Sequence, residues 1–232
     1  MDRLTGVEEL LDGPLDDPAA LAGNLRDLAR INRLTGGTRL SERAIAALAA
    51  RGDVATILDV GTGGADIPMT LLARAASGGR RLVITATDSR AEVLAAARAA
   101  RPSIGHATGL ELAVADGRGL PYPDGAFDVA HASMVTHHLE PDDVVAFVRE
   151  LRRVARNGVV VNDLVRGRVF WLGGWLLVHA IGASRYTRHD GPMSVRRAYT
   201  RAELADLIAA AGLTTVATFA GFAGHRVAIA AC

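Results

Sequence analysis

The chain has 232 residues, 50% hydrophobic and 22% charged, enough for one domain with a sizeable core or a core domain with a small cap. Its 26 basic residues, all arginine, nearly balance 25 acidic ones, and a net charge of +1 gives no electrostatic reason to expect nucleic acid or an acidic membrane as a partner. A single cysteine, Cys232, excludes an internal disulfide and fits a reducing, cytoplasmic setting. Aromatic residues make up only 4%, so Ala, Val, Leu and Ile must fill the core.

The first eleven residues lack the basic-then-apolar order of a signal peptide. Pro14, Pro18 and the acids Asp12, Asp16 and Asp17 are expected to break a short initial helix. Leu21, Leu25, Leu28 and Ile31 form an apolar stripe that ends at Gly36-Gly37, and Ser41 is the expected N-cap of the next helix. From residue 56 the pattern is regular. Thr56–Val60 is a strand, followed by a glycine turn and a helix stopped by Gly78-Gly79; Leu82–Thr87 is a second strand. Ser89 and Glu92 have capping-box spacing for a helix that ends before Pro102. Leu112–Ala115 and Phe127–Ala132 are the third and fourth strands, and an amphipathic helix spans Val144 to Val154. Gly158–Val161 opens a fifth strand. Thr200 and Glu203 form another capping box, and Leu213–Phe219 with Arg226–Ala230 make a closing hairpin. Alternating strands and helices predict a doubly wound α/β sheet, whose ligands bind outside the carboxyl ends of the strands.

The first of those ends carries Asp59-Val60-Gly61-Thr62-Gly63-Gly64. Glycines permit a tight turn and a close backbone approach, and the following helix offers free N–H groups to an anion. A dinucleotide site is disfavoured, because its sixth motif position is Asp66 rather than Gly or Ala, and Asp59 would repel a pyrophosphate. S-adenosylmethionine (AdoMet) has an ammonium, a sulfonium and no phosphate, so it suits an acidic rim. Asp88 and Asp116 close the next two strands, where one carboxylate can accept from ribose hydroxyls and the other from an adenine amine.

LDVGTGGAD, these two acids and PYPDGAFDVAHASMVTHHL resemble the core of class I AdoMet-dependent methyltransferases, in the branch that includes quinone and polyketide methyltransferases. The resemblance covers residues 54–164. It implies a Rossmann-like seven-stranded sheet with an antiparallel last strand, AdoMet as cofactor and a small-molecule methyl acceptor. It places Asp59, Gly61 and Gly63 at the methionine end, with Thr62 and Asp66 beside them. Asp88 and Ser89 fall at the ribose, and Asp116 and Gly117 at the adenine. Ala65 stands where the family has a third glycine. The expected organisation is a helical cap over 1–50, a cofactor-binding core over 51–165, an apolar insertion over 166–199 and a closing helix and hairpin over 200–232.

Methyl transfer to oxygen benefits from a general base. His137 and His138 after the fourth strand, Asp163 after the fifth, and His189 beyond the insertion are the candidates. Arg185 can orient an acidic acceptor. Trp171 and Trp175 lie in an apolar segment of about fifteen residues, too short for a span of about twenty. That segment is expected as a core helix, a substrate lid or an interfacial helix in weak contact with a membrane. An aromatic-walled cap favours O-methylation of a flat polyketide-like or quinone-like ring. No metal is expected, because Asn162-Asp163 reverses the Asp-Asn order of metal-dependent catechol-type enzymes.

Overall fold

A computed structural model of the protein describes residues 1–15 and 17–232. Seven strands form one sheet: β1 (Thr56–Val60), β2 (Val83–Asp88), β3 (Leu110–Val114), β4 (Phe127–Ser133), β5 (Ala155–Leu164), β6 (Thr215–Ala220) and β7 (Arg226–Ala231). Their order is β3-β2-β1-β4-β5-β7-β6; β7 runs antiparallel to both neighbours and the other pairings are parallel. This is the expected Rossmann-like sheet with its last strand reversed.

Eight α-helices accompany it: α1 (Pro18–Thr35), α2 (Gly37–Leu48), α3 (Asp66–Ser77), α4 (Ala91–Ala100), α5 (Pro141–Val154), α6 (Arg168–Ala180), α7 (Arg185–Arg197) and α8 (Arg201–Ala210). Successive strand residues face opposite ways, so Leu58, Val60, Val159 and Val161 pack towards α5 and α8. Ile57, Val129 and Val160 pack towards α2 and α3 on the other face. Helix α5 shows why these residues form these elements. Pro141 occupies its first turn, Asp142 and Asp143 meet the positive end of the dipole, and Arg152 and Arg153 meet the negative end. Its buried stripe, Val144, Phe147, Val148, Leu151 and Val154, stabilises the fold by roughly 1.5–3 kcal/mol per side chain. The helix after β1 and the helix after β4 lie on opposite faces, so the winding reverses between these two strands and a crevice opens at their carboxyl ends.

Several local expectations are corrected. The described part of residues 1–17 contains no helix; Asp17 instead caps α1 by accepting from the Ala20 N–H, and Asp16 lies outside the described residues. Ser41 is not an N-cap but sits inside α2, which starts four residues earlier, at Gly37. The Ser89–Glu92 box does not form; Arg90 is the N-cap of α4, and the Asp88 carboxylate takes the Arg90 N–H. The Thr200–Glu203 box forms in both directions. Helix α2 packs on β4, β5, β6 and β7, so the second half of the N-terminal region belongs to the sheet layer and only α1 and the segment before it lie outside. No helix among the described residues is long and apolar enough to cross a membrane.

Candidate functional site

The turn from β1 to α3 is set by its backbone. Gly61 has φ +73°, and a Cβ there would stand 2.5 Å from Val135 Cγ2. Gly63, at φ +53°, donates its N–H to Asp88 Oδ2 at 3.1 Å. The Thr62 N–H is taken by the Thr87 carbonyl, but the Thr62 hydroxyl is buried without a hydrogen-bond partner among the described residues. A buried hydroxyl left unpaired is costly, and this one lies at the glycine turn. No side chain caps the first turn of α3, whose N–H groups face the same turn. Burial pushes the carboxyls of both Asp66 and Asp88 above the usual range. Ser89 is exposed beside Asp88.

At the next strand end Asp116 is exposed, and its carboxylate is gripped by the Arg118 guanidinium, with contacts of 2.7 and 3.1 Å. That pairing holds the Asp116 carboxyl below its ordinary pKa. Gly117 lets the chain pass close to Phe147, whose ring a Cβ would meet at 2.6 Å. On the other side of the glycine turn, Leu25 of α1 lies against Gly63 and Gly64 and roofs it. The segment before α1 is strapped down as well. Arg90 donates to the carbonyls of Leu11 and Gly13, and Asp190 accepts from the N–H groups of Leu10 and Leu11.

Asp59 points the other way from the turn, into a buried polar chain. Its Oδ1 lies 2.5 Å from His131 Nδ1, and His131 Nε2 lies 2.7 Å from the Ser41 hydroxyl. Asn162 donates to Ser41 and accepts from Arg226 Nε; Arg226 also donates to Asn32 and Ser133, and Asn32 donates to Asp66. The two acids flanking the glycines are thus joined beneath it through five side chains, with Ser133 as a branch from Arg226. Only Asp59 and Asp66 of this chain were legible as site residues; a polar residue inside an apolar stripe, such as Ser41, is the one local hint of the rest.

The end of β4 carries the histidine pair. His137 is buried, and its Nδ1 lies 2.7 Å from Asp163 Oδ1. Asp163 also accepts from the Thr136 hydroxyl and from the N–H groups of His137 and Leu164. Burial opposes its ionisation, yet His137 and these donors hold it well below the usual carboxylate range. With its oxygens so occupied, Asp163 positions His137. His138 is half-buried, its Nδ1 3.0 Å from Asp12 Oδ1. The two rings stack on each other, centroids 4.2 Å apart, and Glu9 stands beside them, its carboxylate oxygens 3.9 Å from His137 Nε2 and from His138 Nε2. Burial pushes the Glu9 carboxyl up to about 7, despite His138, a hydrogen bond from Ser194, and Arg197. Glu9, Asp12 and Arg197 escaped the sequence reading because their partners lie more than a hundred residues away.

The remaining candidates lie apart from this pair. His189, on α7, is half-exposed and bonded to Asp190, and the Arg185 guanidinium lies 5.3 Å from the Tyr186 ring. Trp171 and Trp175 are on the exposed face of α6 with Val169, Leu172 and Leu176, while Phe170 and Val178 turn inward. A cavity of about 1060 Å³ opens between α1, α2, α3 and the β6–β7 turn; Asn32 and Asp66 reach its wall, and arginines of the three helices line much of it.

Residues 58–161 match the model of a methyltransferase domain. No curated relative matches the sequence. The fold resembles that of an AdoMet-dependent methyltransferase from Aquifex aeolicus, 21% identical over 93% of this chain and 97% of that one, with a TM-score of 0.63. Human N-acetylserotonin methyltransferase, solved with AdoMet, is 14% identical over 95% and 60% of the two chains, with a TM-score of 0.66. Magnesium protoporphyrin IX methyltransferase from Synechocystis PCC 6803, solved with S-adenosylhomocysteine, is 14% identical over 84% and 82%, with a TM-score of 0.57. Residues 58–161, from β1 to β5 of this sheet, thus match a methyltransferase-domain model, and the chain shares its fold with these AdoMet-dependent enzymes.

Proposed function

We propose that the protein transfers the methyl group of AdoMet to an oxygen of a small hydrophobic acceptor, a phenolic polyketide-like or quinone-like ring. The observation that carries the cofactor half is the unpaired, buried Thr62 hydroxyl in a glycine turn rimmed by Asp88 and by the uncapped first turn of α3. In this reading Gly61, Thr62, Gly63 and the α3 N-terminus take the methionine end, while Asp59 and Asp66 hold the turn from beneath through the polar chain. Asp88 and Ser89 take the ribose, and Asp116 and Gly117 the adenine, with Arg118 shifting off the Asp116 carboxylate. AdoMet supplies an electrophilic methyl on a sulfonium. The protein's part is to hold the acceptor in line, which can contribute about 7–11 kcal/mol in favourable cases. His137 and His138 face the acceptor side, each anchored through Nδ1 so that Nε2 is the free atom. Trp171 and Trp175 offer flat apolar surface to a ring, and Arg185 and His189 a polar margin for an acidic one.

The test is calorimetric titration with S-adenosylhomocysteine, with NADH as control. Micromolar binding of the first ligand alone is expected. Asp88→Ala should weaken it about 10- to 100-fold, the value of one hydrogen bond to a charged group. Labelled AdoMet offered with a panel of phenols and quinols should then transfer label. Binding of NADH instead would sink the cofactor half, and S-adenosylhomocysteine binding with no labelled oxygen acceptor would sink the other.

A further inference from the structure

Glu9 is separated from His137 and His138 by more than half the length of the chain, yet the three meet with their donor atoms all within 4.8 Å of one another. The arrangement is more than a salt bridge. Each histidine gives its Nδ1 to a carboxylate, Asp163 for His137 and Asp12 for His138, which fixes the tautomer with a proton on Nδ1 and leaves Nε2 with its lone pair. Both Nε2 atoms then point at the same Glu9 carboxylate, one oxygen each, at 3.9 Å. That is too long for a hydrogen bond. Ligands about 2.1 Å from a tetrahedral ion stand about 3.4 Å apart, so donor atoms that already lie within 4.8 Å of one another close the set by moving together by up to about 1.4 Å. Charge points the same way. Glu9, Asp12, Asp163 and Asp190 gather here, while Arg197, 2.9 Å from Asp12 and 3.7 Å from Glu9, is the only guanidinium against Glu9 or Asp12 among the described residues. The Ser194 hydroxyl donates to Glu9 Oε1 and steadies the carboxylate.

We propose that Glu9, His137 and His138 bind a first-row divalent metal ion, zinc before the others, with Asp12 and Asp163 as the outer carboxylates that orient the two imidazoles. Imidazole and carboxylate donors suit such ions, and three protein ligands leave a fourth position for an oxygen. The ion pins the segment before α1 to the turn after β4. If the proposed methyl transfer holds, the open position takes the acceptor's hydroxyl, whose ionisation the metal favours; only this last step rests on that reading.

The test uses the full chain, stripped with chelator and titrated with zinc chloride while bound metal per chain is measured. One zinc per chain is expected. Glu9→Gln and His138→Gln should each abolish it, and Asp12→Asn should weaken it about 10- to 100-fold. His179→Gln, which alters an exposed histidine on α6, should leave it unchanged. Zinc binding no tighter than that of the Glu9→Gln/His138→Gln double variant overturns the proposal, as does stoichiometric binding that survives the double variant or is lost with His179. Should the Glu9 and His138 variants fail to fold, X-ray absorption of the zinc-loaded wild type decides. Two imidazole nitrogens with oxygen neighbours support the site, and any other ligand shell overturns it.

Discussion

Arg226 is fully buried and is held by three neutral side chains, Asn32, Ser133 and Asn162, one from each of its nitrogens. Burial lowers its pKa, and the nearby charges of Asp163 and Asp66 oppose that shift. The cost of taking a guanidinium out of water is thus offset by hydrogen bonds and by two acids at a distance. Replacing it with methionine keeps the length but leaves three polar side chains and two buried acids without their partner. Arg226→Met should lower stability by about 3–5 kcal/mol, read as a shift in the urea midpoint at unchanged slope. A loss under 1 kcal/mol would show that the chain from Asp59 to Asp66 is not a cooperative unit. At this scale the sequence was legible only where chemistry is local. Gly61 and Asp88 announce themselves by their place after a strand. Arg226 looks like the first residue of an ordinary hairpin strand, because what defines it lies on α1, β4 and β5.

Individual elements show where a local rule survives and where a neighbour overrules it. The Thr200–Glu203 box forms in both directions, whereas α4 starts one residue past Ser89, with Arg90 as its N-cap and the Arg90 N–H donated to the Asp88 carboxylate at the end of β2. The strands themselves were legible from alternation, since a residue facing the wrong layer would bury charge or expose a branched side chain. Asp128 at the start of β4 clamps three strands. It accepts from the N–H groups of Ala55 and Thr56 and the Thr56 hydroxyl at the start of β1, and from Arg156 in β5. Burial opposes ionisation, but these donors hold its carboxyl down at about 2, against 3.8 for the free group. A group depressed in the folded state contributes stability above its unfolded pKa and loses it as pH falls towards the folded one. The contribution of about 2 kcal/mol should therefore be complete above about pH 4 and fade between pH 4 and pH 2. Asp128→Asn should lower the denaturation midpoint at pH 7 and flatten that acid limb, and an unchanged limb would reject the assignment. Helix α6 is the element whose pattern misleads most, since its most apolar residues are the exposed ones. Because Trp175 lies on the exposed face of α6 and stacks on His179, Trp175→Ala should cost under about 1 kcal/mol of stability. If α6 meets the acceptor, the same change should raise KM several-fold, and an unaltered KM would separate the helix from the reaction.

Across the whole molecule, alternation from residue 56 onward identified the sheet, whereas the segment before α1 was opaque. Its contacts run to Asp190, Arg196 and Arg197 on α7 and to Glu140 beside the histidine pair, all distant in sequence. A near-neutral net charge likewise concealed that three helices turn their arginines into one cavity. The roof formed by Leu25 and the strapped segment carries a kinetic consequence. With the glycine turn covered, a molecule arriving from solvent meets a shut door, and its capture waits on a unimolecular opening whose frequency the protein sets. In stopped-flow mixing with S-adenosylhomocysteine, the observed rate should level off at high ligand concentration rather than climb in proportion. Arg90→Ala, which frees the carbonyls of Leu11 and Gly13, should raise that plateau, because fewer bonds then hold the hinge closed. A strictly linear dependence would mean that the roof parts faster than the ligand arrives. A plateau would make the first thirty residues the clock of the catalytic cycle.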